Sequence, residues 1–335
     1  MMKKLMLAGL MAAAFTLPAE AEQLVFTSWG GTTQDAQRDA WAKPFTAETG
    51  IPVLMDGPTD YGKLKAMVES GNVSWNVVDV EFDFAVQAAR DGLIEPIDFS
   101  VVKRDELDPR FTTDHAVGSF YFSFVIGYNA DNLKEAPKTW ADVFDTKRFP
   151  GKRTFYKWST PGTLEIALLA DGVPPEKLYP LDLDRAFAKL DTIKDQIVWW
   201  GTGAQSQQLL ASGEVNLGQF WNGRIFALQK TGVNAQMSWE QNVAAADALV
   251  VPKGAPNKDK AMAFLAMATS AKGQADMAAA SGYAPVNVKS DALMDEAIRA
   301  TLPGAHAALR VDVDMKYWAE HRDEIATRWY AWQSK

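Results

Sequence analysis

Leu24-Val25-Phe26-Thr27-Ser28-Trp29-Gly30-Gly31-Thr32 decides the fold class of this chain. Three apolar residues in a row read as a short buried strand, and the Gly-Gly pair stops it at a turn. A helix is expected next over residues 35–49, with Ala36, Ala40 and Phe45 among its apolar positions and Gly50 as its stop. The unit then repeats. Residues 51–54 read as a strand and 61–70 as a helix closed by Gly71; residues 76–80 read as a strand and 84–90 as a helix ending at Gly92. Strands alternating with helices of this length make βαβ units, hence a parallel sheet and an α/β fold. Ligands of such sheets sit beyond the carboxyl ends of the strands. Trp29-Gly30-Gly31 and Glu81-Phe82-Asp83 therefore lie at a candidate site.

Further on, the pattern changes near Val125-Ile126-Gly127-Tyr128-Asn129. Residues 140–144 read as a surface helix and Phe149-Pro150-Gly151 as a turn. A second alternating series covers residues 153–229, with a buried strand over 215–220. Another apolar strand is expected over 247–252, a helix over 258–269, and a final helix with an aromatic face over 315–332.

Upstream of the first strand, Lys3 and Lys4 precede an apolar run over residues 5–17, and Ala19-Glu20-Ala21 supplies small residues for a cleavage site. Residues 1–21 read as a secretory signal peptide, and the rest as an exported, periplasmic chain. Removing Lys3, Lys4 and Glu20 with it shifts the formal charge from −8 to −9. An acidic chain is a poor partner for nucleic acid or anionic membrane. About 314 remaining residues exceed what one core usually holds, so two lobes are expected. With no cysteine, disulfides, thiolate metal sites and thiol nucleophiles are excluded together. The 12 tryptophans and 17 phenylalanines are numerous enough to supply ligand walls as well as a core.

Six phrases fall in the order and spacing of one family: Phe45-Thr46-Ala47-Glu48-Thr49-Gly50-Ile51, Ile126-Gly127-Tyr128-Asn129, Thr139-Trp140-Ala141-Asp142-Val143, Gly213-Glu214-Val215-Asn216-Leu217-Gly218, Trp221-Asn222-Gly223 and Gly282-Tyr283-Ala284-Pro285. The chain resembles the spermidine/putrescine-type periplasmic binding proteins of ABC importers. That resemblance implies two α/β lobes, each a mostly parallel sheet flanked by helices, joined at a hinge of crossing strands near residues 126–128 and 245–247. The amino-terminal lobe would comprise residues 22–126 plus 247–295, and the carboxy-terminal lobe 127–246 plus 296–335. It also implies a monomer that docks on a membrane permease.

Within the implied cleft, Trp29, Trp221 and Tyr283 match family aromatics, and Asp247 matches an aspartate that grips an ammonium. Three departures are informative. The loop Trp158-Ser159-Thr160-Pro161-Gly162 carries no acid where polyamine binders do, Ala245 replaces an aromatic, and Arg224 follows Trp221-Asn222-Gly223. A guanidinium repels a polycation, whereas one Arg and one Asp across an aromatic box suit a zwitterion. The resemblance is accordingly to the γ-aminobutyrate-binding members, with Arg224 and Asp247 as the charge pair. Gly30, Tyr121, Phe122, Trp158 and Trp200 are further candidates. Tyr121, Phe122 and Trp158 could equally be core, and of Trp199 and Trp200 one is expected in the core and the other at the cleft. Glu81 and Asp83 suit either ligand contact or the first turn of a helix. A polyamine remains the alternative ligand, with Glu81 or Asp83 supplying the missing charge. His115, His306 and His321 fit no metal spacing, Gly201-Thr202-Gly203 is too short for a phosphate loop, and no nucleophile constellation is present. Neither catalysis nor a cofactor is expected.

Overall fold

A computed structural model describes residues 23–335; the expected signal peptide over 1–21 lies outside them. Strand β1 (Leu24–Thr27) lies between β2 (Val53–Asp56) and β3 (Val77–Glu81), parallel to both. The helical run from β1 to β2 is Gly31–Gln37, a wider-wound turn Arg38–Ala42, and Lys43–Thr49. It starts earlier than the expected 35–49, because Gly30 and Gly31 complete the turn with positive φ (73° and 59°) and leave Thr32 free to be helical. Strand β2 begins later than expected. Pro52 has no N–H for the ladder and enters it only through its carbonyl, which accepts from the Leu24 N–H at 2.9 Å. The third helix, Phe82–Arg90, starts before the expected 84, with Glu81 as its N-cap residue.

Two long strands organise the rest. β4 (Val117–Asn129) and β8 (Ala235–Val250) run antiparallel along most of their lengths. Residues 247–250 of β8 pair with β3, while residues 124–128 of β4 pair with β7 (Leu217–Trp221). Beyond β7 lie β5 (Arg153–Tyr156) and β6 (Ile197–Trp200), parallel to one another, and β9 (Arg310–Asp312) joins β8. The order is β2-β1-β3-β8-β4-β7-β5-β6. Two parallel groups of strands thus hang on an antiparallel pair whose register shifts between Gly118 and Phe120 and between Phe124 and Ile126. Such bulges bend a ladder and increase its twist.

One contiguous aromatic-rich core runs beneath both groups. Phe264 packs against Phe26 at 5.2 Å and against Phe45 at 5.4 Å, between ring centroids. Burying each such side chain stabilises the fold by roughly 1.5–3 kcal/mol. The final helix, Met315–Gln333, carries the expected aromatic face, and Trp329 and Trp332 pack on Trp199 and Phe187. The same helix also reaches the first group of strands: Arg90 donates to the Ala319 carbonyl at 2.9 Å, and Arg322 pairs with Asp83.

Candidate functional site

The carboxyl ends of the strands converge on one seam. Trp29 follows β1, Glu81 ends β3, Tyr156 ends β5 and Trp221 ends β7. All four border a cavity together with Thr33, Phe120, Phe122, Arg224, Asp247 and Tyr283. Strand alternation aims Phe120 and Phe122 of β4 at this cavity. Tyr283 stacks on Phe120 at 4.6 Å, and Trp221 meets Tyr156 edge-on at 5.1 Å and Phe122 at 6.0 Å. The result is a box walled largely by aromatic rings.

Two opposite charges are set into that box. Arg224 lies in the first turn of helix Asn222–Gln229 and is 1% exposed. Its Nη1 donates to Thr32 Oγ1 at 2.8 Å, and its guanidinium stands 5.7 Å from the Trp221 ring. Asp247 is 6% exposed and sits on β8, opposite Glu81 of β3 and Phe120 of β4. No ion pair joins Arg224 to Asp247 among the described residues. Burial raises the Asp247 carboxyl well above its ordinary pKa, and the neighbouring Asp79 and Glu81 raise it further, against the opposing pull of the Trp29 indole N–H. Asp79, wholly buried behind it, is pushed up to about 7 by desolvation, although Gln37, Ser119 and Ser28 donate to it. Two further buried donors on the walls have no acceptor among the described residues: Trp221 Nε1 and Arg224 Nε. Buried donors are almost always satisfied, so donors left open around one cavity point to a ligand that accepts.

The other acids are committed elsewhere. Arg322 donates to Glu81 at 3.0 Å and pairs with Asp83, and the Tyr61 hydroxyl donates to Glu81 at 3.0 Å. A larger outer chamber shares Trp29, Glu81, Tyr156 and Trp221 with the box.

Seven of the residues singled out in the sequence come together at the inner cavity: Trp29, Glu81, Phe122, Trp221, Arg224, Asp247 and Tyr283. Trp158 lines only the outer chamber, where it is 42% exposed and donates to the Gly201 carbonyl at 3.1 Å. Three candidates need correction. Tyr121 points to the opposite face of β4 from Phe120 and Phe122 and borders a separate groove with Ala284 and Gly304. Trp200 is fully buried behind the box wall, 4.8 Å from Trp221 and 4.3 Å from Tyr156, with Nε1 bonded to the Gln219 carbonyl. Since Trp199 packs on Trp329, neither tryptophan of that pair lines the cleft. Gly30 supplies the turn that carries Trp29 and borders neither chamber.

Sequence reasoning missed Phe120, Tyr156, Thr33 and Gly203. Phe120 was available from the period of two counted back from Phe122, and Tyr156 from the rule placing ligands at strand carboxyl ends. Gly203 carried no such signal. Arg224 lies between it and Gly31: a Cβ at Gly203 would stand 2.6 Å from Nη2 and nearer still to Nε and Cζ, whereas one at Gly31 would meet Nη1 at 3.4 Å. Gly203→Ala is therefore expected to displace the guanidinium and weaken ligand binding at least about tenfold. Helix propensity favours Ala here, so stability to urea should hold within about 1 kcal/mol. Titration calorimetry beside urea unfolding checks both.

The whole chain has known relatives. Residues 40–302 match the family model described as bacterial extracellular solute-binding protein. The γ-aminobutyric acid-binding protein of Pseudomonas aeruginosa is 37% identical over 341 residues, covering 99% of this chain and 96% of the relative. Spermidine/putrescine-binding periplasmic protein 1 of Haemophilus influenzae is 27% identical, covering 75% and 73%. Among solved structures, the Atu4243-GABA receptor is 65% identical, with a TM-score of 0.88 over 94% of this chain and 98% of that one.

Proposed function

Because the chain belongs to the bacterial extracellular solute-binding proteins, we propose that it captures γ-aminobutyrate for an ABC importer. The observation that carries this reading is a buried Arg224 and a buried Asp247 in one aromatic box, neither of them in an ion pair among the described residues. The guanidinium, with its open Nε, receives the ligand carboxylate, and Asp247 accepts from the ammonium. The methylenes lie against Trp29, Phe122 and Trp221, whose faces also attract the cation. Arg224 belongs to the lobe built around β7, while Asp247 sits at the crossing beside β3. A ligand held by both ties the lobes together, and the closed form then docks on the permease. The lobe boundaries at 126/127, 246/247 and 295/296, export to the periplasm behind residues 1–21, and a monomeric state belong to the same proposal.

Titration of γ-aminobutyrate and putrescine tests it. Putrescine would set an ammonium against Arg224, and a like-charge contact costs several kcal/mol, so γ-aminobutyrate should bind at least about 100-fold tighter. Putrescine binding as tightly would replace this reading with the polyamine one.

Binding should also release a proton. The raised pKa of Asp247 keeps it protonated to higher pH in the free protein, and the ligand ammonium favours its charged form. Below that raised pKa, uptake of ligand expels the proton, so affinity grows with pH through this window. Calorimetry just above the ordinary carboxylate range, in two buffers of unlike ionisation enthalpy, reads the release. Identical heats in both buffers would mean that Asp247 is already ionised or is not the acceptor.

A further inference from the structure

The cavity holds one carboxylate more than a zwitterion requires. Glu81 stands opposite Asp247 across the β3–β8 ladder and borders the same space. Two acids at one end of a cleft suit a ligand with two ammonium groups. Yet Glu81 is answered from within the protein, by Arg322 on the final helix. Its Nη2 donates to Glu81 Oε2 at 3.0 Å, its Nη1 pairs with Asp83, and its side chain is 12% exposed. The guanidinium is held in place by rings, 5.3 Å from Tyr61 and 5.7 Å from Phe84, which stack on each other at 3.6 Å. Arg322 and Glu81 both border the outer chamber, so this cation stands where a dication extending outward from Asp247 would place its second charge.

We propose that Arg322 is a specificity-determining residue that pairs with Glu81 and Asp83 at the rim of the box, occupying the place of a second ligand cation, and so closes the cleft to diamines. It acts through Glu81 rather than by touching the ligand. A net-neutral zwitterion loses nothing to it, whereas a diamine meets both a fixed positive charge and a carboxylate already paired. The inference rests on the γ-aminobutyrate reading above.

The test is the ratio of putrescine affinity to γ-aminobutyrate affinity, measured by calorimetry on the full chain and its variants. Arg322→Gln is expected to raise that ratio at least about tenfold. Arg322→Lys keeps a cation and should hold the ratio within about threefold of the wild type. An unchanged ratio in folded Arg322→Gln overturns the inference, as does a Lys variant that shifts as far as the Gln variant. Should Arg322→Gln fail to fold, pairing it with Asp83→Asn removes one buried charge and leaves Glu81 facing the cavity. The same tenfold rise is then expected, and an unchanged ratio overturns the proposal. A wild type that does not bind γ-aminobutyrate sinks both readings; one that binds it while the variants keep its ratio sinks only this one.

Discussion

Arg224→Ala is expected to weaken γ-aminobutyrate binding by at least about 100-fold while the chain still folds. The guanidinium is 1% exposed, and its Nε has no acceptor in the protein. Removing it would leave the ligand carboxylate buried without a counter-charge, which costs about 3–5 kcal/mol. Each 1.4 kcal/mol is roughly a decade of affinity, so a loss of two decades is the lower bound. The fold should survive because the guanidinium bonds to Thr32, stands beside the Tyr283 hydroxyl and otherwise lies between Gly31 and Gly203, with no ion pair to break among the described residues. Calorimetry with circular dichroism separates the two effects. Full affinity in a variant of unchanged spectrum would reduce Arg224 to a packing residue.

Asp247→Asn is expected to cost about 10- to 100-fold in affinity, since a hydrogen bond to a charged group contributes about 1.5–3 kcal/mol. The amide keeps the shape but turns one end into a donor facing the ligand's own donors. Without ligand, the effect on stability has the opposite sign. The folded wild type holds the Asp247 proton more tightly than the unfolded chain does, because burial and the neighbouring acids raise this pKa. Its stability is therefore lost as pH rises from the ordinary carboxylate range towards the raised folded value. Asn has no such term, so the ligand-free variant should melt above the wild type at about pH 7 and nearly level with it at about pH 4. Excess γ-aminobutyrate should raise the melting temperature of the wild type by mass action, and that of the variant far less. A variant that keeps the whole ligand-induced shift would mean that the ammonium is held elsewhere, with Glu81 next to be tested. A variant that already melts far below the wild type at about pH 7 would make Asp247 a structural residue.

Much of the site was legible because strand ends announce themselves locally. Trp29 follows an apolar run and precedes a glycine turn, and Trp221 closes the buried strand Leu217–Trp221 just before a helix. Tyr121 misled because proximity to a crossing strand says nothing about which face a residue takes. Its neighbours Phe120 and Phe122 point into the box, and pleating sends Tyr121 the other way. Trp200 misled for a related reason. It ends β6 on the site side, but Tyr156 and Trp221 stand in front of it and leave it as support for the wall.

By itself the amino-acid sequence determined the α/β class, the strand–helix units from β1 to β3, the aromatic final helix and the presence of one basic and one acidic candidate in an aromatic setting. The class, the units and the final helix follow from residues that are neighbours along the chain, where apolar period and glycine stops can be read directly; the charged candidates follow from the resemblance to a known family. Tertiary structure alone decided which charges remain open to a ligand. Glu81 and Asp83 look as available in sequence as Asp247, but Arg322, separated from them by 241 and 239 positions, pairs with both. Gly203 reads as a plain turn residue until the fold lays the Arg224 guanidinium against it. Coulombic pairing and steric contact act through distances of a few ångströms in space, and local sequence pattern carries no record of which distant residues the fold will bring that close.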